Sequence, residues 1–130
     1  MKNNTSITQH LPWAAHTNHA ERMEHMKAMI SQPMNGKREE EIAATRERAI
    51  AALIAQGYEI ENTFFTGEWT SQENLENAGV VHIPLYFLAL SLSSMNACHA
   101  VYFCKGWENA RGCRLEHEAA KEYGLKIIYE

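Results

Sequence analysis

The sequence predicts an α/β domain in which helices cover a mostly parallel sheet of four to five strands. Four apolar runs have the length of strands, at residues 26–31, 58–64, 99–104 and 126–129. Helical patterns separate them, at 38–56, 84–95 and 112–123. Such alternation builds a parallel sheet through right-handed crossovers. We therefore expect the order β-α-β-loop-α-β-α-β and one domain over residues 26–130.

The first half of the domain shows clear boundary signals. Pro33 and Gly36 mark a loop after the first strand. Acidic residues at 39–41 suit the amino end of the next helix, and Gly57 is typical of the position just past a helix. A second strand is expected at 58–64. Residues 65–82 form a long connection with room for a short helix.

The second half begins at Pro84, which fits the first turn of a helix. The helix over residues 84–95 is apolar on nearly all sides, so it is buried either inside the domain or against another chain. We expect a homo-oligomer that forms through residues 84–95, with a fully internal helix as the alternative. A third strand at 99–104, a helix from Gly112 to Tyr123 and a last strand at 126–129 complete the domain.

Composition excludes several functions. Apolar residues make up 45% of the chain and charged residues 22%, as in an ordinary globular protein. The net charge of −4 disfavours binding to duplex nucleic acid, and no apolar run is long enough to span a membrane. Residues 1–25 are polar and rich in histidine, and they predict a flexible N-terminal extension without the apolar core of a signal peptide.

No metal or cofactor is expected. The histidines of the extension show no regular metal-ligand spacing. The cysteines at 98, 104 and 113 are not spaced as in a zinc site, and they favour reduced thiols in a cytoplasmic protein. Cys113, near a helix amino end, is a candidate for a lowered thiol pKa, but the sequence places no histidine partner beside it.

Two loops are expected to flank one ligand crevice. They follow the first and third strands, at residues 31–37 and 105–111, and both contain glycine. In open α/β sheets, ligands bind where such loops leave the carboxyl ends of strands. The residues expected to face the crevice are Ser31, Asn35, Trp107, Arg111 and Glu116.

Glu116 is the single charge on a helix stripe that it shares with Ala119, Ala120 and Tyr123. A carboxylate on a packed stripe costs free energy unless a partner or ligand meets it. The alternative is a glutamate that caps the helix or pairs with Arg111 or Arg114.

Trp107 and Arg111 each allow two interpretations. The indole of Trp107 suits stacking on a planar base, and it suits equally a hydrophobic lid over the loop. Arg111 and the first N–H groups of the helix are suited to binding an anion. The alternative is that Arg111 is a solvated surface residue.

Two segments resemble a known family. "MISQPMNG" is similar to a first strand and loop of the type "YISGPMTG", and "HAVYFCKGWENARGCRLEHEAAKEYG" is similar to "DAVYFLPGWENSRGARIEHEYAKAHG". Both patterns are found in small phage- and bacteria-borne domains of unknown function, the DUF4406-like branch of the nucleoside 2-deoxyribosyltransferase-like superfamily.

The resemblance implies a flavodoxin- or Rossmann-like three-layer sandwich that cleaves or transfers the N-glycosidic bond of a nucleoside or nucleotide. A glutamate in a Gly-x-x-x-Glu segment attacks the anomeric carbon in the characterised enzymes, which here corresponds to Glu116. The implied substrate-binding residues are Ser31, Pro33, Met34, Asn35, Gly36, Gly106, Trp107, Arg111 and Gly112.

The chain departs from the characterised transferases at acidic positions. His99 stands where one family aspartate would precede the third strand, Ala110 stands where an acid would lie six residues before the nucleophile, and the apolar helix carries Ser91. His99, Glu108 or Glu118 would then have to supply the proton. The alternative functions are a phage accessory protein that binds or sequesters nucleotides without turnover, and an interaction protein that uses helix 84–95.

Overall fold

A computed structural model describes residues 25–130 of the chain. Its centre is a sheet of four parallel strands in the order β2-β1-β3-β4. The strands are β1 (Lys27–Ser31), β2 (Glu59–Ile60), β3 (Ala100–Phe103) and β4 (Lys126–Tyr129). The helices are α1 (Glu39–Ala55), α2 (Gln72–Asn77), α3 (Ile83–Met95) and α4 (Arg111–Glu122). The predicted α/β class is therefore confirmed, with four strands.

The two central strands form the core because both of their faces are covered. Every residue of β3 is buried, and β1 is buried from Ala28 to Ser31. Alternate side chains pack into different layers. Ala28 and Ile30 lie with Leu53 of α1, whereas Met29 lies with Met95 of α3 and Ala120 of α4. This alternation places α1 on one face of the sheet and α3 and α4 on the other.

The ends of α1 and α4 are closed by the same turn. After α1, Gly57 has φ +91°, and the N–H of Tyr58 donates to the carbonyl of Leu53 at 3.0 Å. After α4, Gly124 has φ +76°, and the N–H of Leu125 donates to the carbonyl of Ala120 at 2.9 Å. Glycine adopts this left-handed conformation without steric cost, so both helices end where the sequence predicts.

The second strand is shorter than predicted. The sequence predicts strand 58–64, but only Glu59 and Ile60 pair with β1. Beyond them the hydroxyl of Thr63 donates to the carbonyl of Ile30 at 3.2 Å. Because a side chain takes the place of the next ladder bond, the chain leaves the sheet there.

The long connection contains more structure than a plain loop. A 3₁₀ turn at Glu68–Thr70 precedes α2, and Ser71 caps α2 by accepting a bond from the N–H of Asn74 at 3.2 Å. The short helix expected within residues 65–82 is thus present.

Other boundaries lie within two residues of the predicted ones. The predicted N-terminal extension, apart from His25, lies outside the described residues. Among the residues that the structure describes, no helix has the length and apolarity needed to cross a membrane.

Candidate functional site

A cavity of about 890 Å³ lies beyond the carboxyl ends of the strands. Its walls come from the segments that follow β1, β2 and β3 and from one face of α3. This is the expected position for a ligand site in an open parallel sheet, and the volume suits a small organic molecule.

Glu116 lies in the second turn of α4 and lines this cavity. Only 8% of the residue is exposed. The hydroxyl of Ser31, at the end of β1, donates to Oε1 of Glu116 at 2.5 Å, and the hydroxyl of Ser91 on α3 lies close enough to favour the ionised carboxyl. The carboxyl is therefore held where β1, α3 and α4 meet.

The partners of Glu116 are hydroxyl groups rather than cations. No ion pair to Glu116 forms within residues 25–130, so the alternative of pairing with Arg111 or Arg114 is not realised. Burial raises the pKa of the Glu116 carboxyl, and the hydrogen bonds from Ser31 and Ser91 oppose that rise. The result is a carboxyl with a raised pKa that forms no ion pair within residues 25–130.

The two predicted loops meet at this cavity. Pro33, Met34 and Asn35 line it from one side, and Gly106 lines it from the other. Gly106 has φ +90°, and a Cβ built there would lie 3.8 Å from Cγ of Pro33. Gly106 thus permits the left-handed turn of its own loop, which passes close to the first.

Gly36 does not line the cavity but shapes the loop that does. The N–H of Lys37 donates to the carbonyl of Met34 at 3.2 Å, and Gly36 has φ +76° inside that turn. Its role is therefore conformational.

The amino end of α4 also opens into the cavity. Arg111 and Gly112 line it, and the first main-chain hydrogen bond of the helix runs from Arg114 N–H to the carbonyl of Ala110. The N–H groups of residues 111–113 therefore have no partner inside the helix, which makes this end of α4 suited to an anion.

Trp107 lies elsewhere. It does not line the 890 Å³ cavity but stacks on the imidazole of His117, with ring centroids 4.0 Å apart and planes at 20°. Its ring is also stacked with Tyr129 at 5.9 Å. Of the two interpretations, this geometry fits a packing role beside β4 and not a stacking platform in the cavity.

The buried stripe of α4 that contains Glu116 is shorter than predicted. Ala120 is buried, but Tyr123 is 85% exposed. The prediction that Tyr123 packs against the sheet is wrong because α4 ends at Glu122 and the chain turns away at Gly124.

The suggested proton donors are absent from the cavity wall. His99 precedes β3 at the opposite end of the sheet, where its Nδ1 accepts from the N–H of Lys27 at 3.0 Å. Glu108 and Glu118 do not line the cavity either, whereas Ala110 does. Among the described residues, Glu116 is the one carboxylate that lines it.

Several lining residues were not predicted from sequence. Arg46 of α1 and Lys37 add positive charge, while Phe64 and Phe87 add aromatic surface. Helical periodicity alone does not distinguish Arg46 from other charged residues of α1. The position of Ser91, a polar residue inside an apolar helix, was the available signal for its contact with Glu116.

The cysteine thiols are unpaired and unsuited to nucleophilic attack. Burial raises the pKa of Cys98 and Cys104 to about 12 and that of Cys113 to about 11. The expectation of a lowered pKa at Cys113 is therefore wrong, because burial outweighs the helix end. Within residues 25–130, no group of three potential ligands could hold a metal ion.

Fold and site together define a class: a single α/β domain with a buried glutamate in a cavity at the carboxyl edge of its sheet. The model of the family "Domain of unknown function (DUF4406)" matches residues 26–129, and the chain belongs to that family. Neither the comparison with curated proteins nor the comparison with solved structures gave a match.

Proposed function

We propose that this protein cleaves or transfers the N-glycosidic bond of a nucleoside or nucleotide, with Glu116 as the nucleophile. The observation that carries the proposal is the carboxyl of Glu116, buried in the wall of a ligand-sized cavity and held there by Ser31. A buried carboxylate without an ion-pair partner costs stability, and a carboxyl with a perturbed pKa in the wall of a cavity is a candidate for a role in chemistry.

The chemistry proceeds in two steps. An oxygen of the Glu116 carboxylate bonds to C1′ of the sugar, the C1′–N bond breaks, and the base leaves with a proton from solvent or the cavity wall. Water or a second base then attacks C1′, the ester bond breaks, and Glu116 is restored. The surplus proton of the attacking water or base is released to solvent.

Ser31 and Ser91 are positioning residues for the first step. Their hydrogen bonds favour the ionised carboxyl against the effect of burial, and they orient it toward the cavity. Activity is expected to rise with pH on the acid side, because only the carboxylate can attack.

A second candidate function is nucleotide binding without turnover, as in a sequestering phage accessory protein. It is favoured by Ala110, since among residues 25–130 no second carboxyl group lines the cavity to protonate the leaving base. Loss of a general acid typically costs about 10²- to 10⁴-fold in rate.

Release of free base distinguishes the two candidates. The protein is incubated with a panel of nucleosides and 5′-monophosphates, and products are separated by chromatography. Catalysis predicts free base from the wild-type protein and none from Glu116→Gln, with Glu118→Gln as the matched control because Glu118 lies outside the cavity. A thermal shift with a ligand that is recovered unchanged supports binding alone.

We also propose that the protein is a homo-oligomer that acts in the cytoplasm. Leu85, Ala89 and Leu92 form an exposed apolar stripe on α3, which carries no charged residue between Ile83 and Met95. Two such uncharged stripes can pack together without burying a charge. Leu85→Glu should lower the mass found by light scattering, and an unchanged mass would argue against this interface.

A further inference from the structure

The wall of the Glu116 cavity is unusually cationic for this chain. Lys37, Arg46, Arg111 and Arg114 line it together with one carboxylate, although the chain as a whole has a net charge of −4. A cavity with such a surplus of positive charge attracts an anionic ligand.

Arg46 is the most informative of these cations because it is half-buried. Its Nη2 lies 3.4 Å from Oδ1 of Asn62, and its guanidinium lies 5.2 Å from the ring centroid of Phe64. Both partners are neutral. Burial lowers the pKa of the Arg46 guanidinium, which is the direction expected of a cation that no carboxylate compensates.

Neighbouring arginines outside the cavity are paired. Arg38 lies 3.4 Å from a carboxylate oxygen of Glu41, and Arg48 lies 3.5 Å from one of Glu130. Within the described part of the chain, Arg46 has no such pair. Arg46 is thus left with its charge available to a ligand.

We propose that Arg46 is a specificity-determining residue that binds a phosphoryl group, so that the substrate is a nucleoside monophosphate rather than a free nucleoside. The inference rests on the proposed function, since it shares the cavity of Glu116. Lys37, which also lines the cavity and makes no ion pair among residues 25–130, adds to the attraction. A planar guanidinium suits phosphate because it donates two parallel hydrogen bonds.

The test measures binding in Glu116→Gln, where turnover is not expected. Calorimetry compares a 2′-deoxynucleoside with its 5′-monophosphate, and the monophosphate should bind at least about 10-fold more tightly. Adding Arg46→Met should reduce that ratio by about 10- to 100-fold and leave the nucleoside affinity unchanged. Arg46→Lys, which keeps the charge, should retain part of the ratio.

Arg48→Met is the matched control. It removes a cation from the same helix outside the cavity, so the ratio should be unchanged. Melting curves of each variant establish that it is folded.

The outcomes separate this inference from the proposed function. Equal affinity for nucleoside and monophosphate, or a ratio that survives Arg46→Met, overturns the inference, while base release by the wild-type protein would still support the function. A ratio that depends on Arg46, with no base released from any substrate, supports the phosphate site and overturns catalysis. Binding of neither ligand overturns both.

Discussion

Replacing Glu116 with glutamine should stabilise the fold at neutral pH while it abolishes activity. The change keeps the size of the side chain and the oxygen that accepts from Ser31, but it removes the charge. The new amide N–H groups can donate to the hydroxyl of Ser91, which contacts the carboxyl in the wild-type protein. Since Glu116 is 8% exposed and has no cation partner within residues 25–130, the charge is a net cost.

The pH dependence of this effect has a definite sign. Burial raises the pKa of Glu116 in the folded protein above its unfolded value of about 4.3. The folded chain therefore binds more protons than the unfolded chain across this interval, and wild-type stability falls as pH rises from about 4.3 through the raised pKa. The glutamine variant lacks this loss. We expect it to gain about 1–3 kcal/mol relative to wild type at pH 8 and little at pH 4.

Urea unfolding of both proteins at pH 4, 6 and 8 measures the effect. Each 1 kcal/mol of stability gained at pH 8 corresponds to a rise of about 2–8 °C in melting temperature. Glu118→Gln is the control, because this exposed glutamate forms a surface ion pair with Lys121, at 3.8 Å, and should change stability by less than about 0.5 kcal/mol. A Glu116→Gln gain that is absent at pH 8, or equal at pH 4 and pH 8, would refute the reasoning.

Three further predictions concern α4 and the loop that precedes it. Ala110→Asp should stabilise the protein by about 1 kcal/mol in thermal unfolding, because Ala110 is the uncapped N-cap of α4; an unchanged midpoint would contradict it. Trp107→Ala should destabilise the fold by about 3 kcal/mol yet leave the nucleotide Kd unchanged by calorimetry, since Trp107 stacks on His117; a large loss of affinity would place it in the site. Cys113 should react with iodoacetamide at pH 8 at least about 100-fold more slowly than a free thiol, because its pKa is about 11; rapid alkylation of the folded protein would contradict this.

Much of the fold could be predicted because its signals are local. Apolar runs, helical spacing and the glycines at 57 and 124 depend on neighbours in sequence, and they gave the element order and most boundaries. The predicted length of the second strand was too great. The strand ends where the side chain of Thr63 donates a hydrogen bond to the carbonyl of Ile30, and no local pattern in the sequence shows that contact. Tyr123 was assigned to the packed stripe of α4, but the helix ends at Glu122 and the tyrosine side chain is exposed.

The site was only partly predictable. The sequence singles out Glu116 because it is the one charged residue on an apolar stripe of its helix. Its bond to Ser31 joins residues 85 positions apart, and only the parallel sheet brings them together. Arg46 had no local signal in the sequence. Whether an arginine of α1 pairs with a carboxylate, as Arg48 does with Glu130, depends on tertiary structure.

If Glu116 forms a covalent bond to the sugar, mass spectrometry of protein quenched with acid during turnover should detect it. A deoxyribosyl or deoxyribosyl-phosphate adduct is expected on the peptide that contains Glu116, and no adduct is expected on Glu116→Gln. Base release by both proteins, with Glu116 unmodified in each, would contradict it.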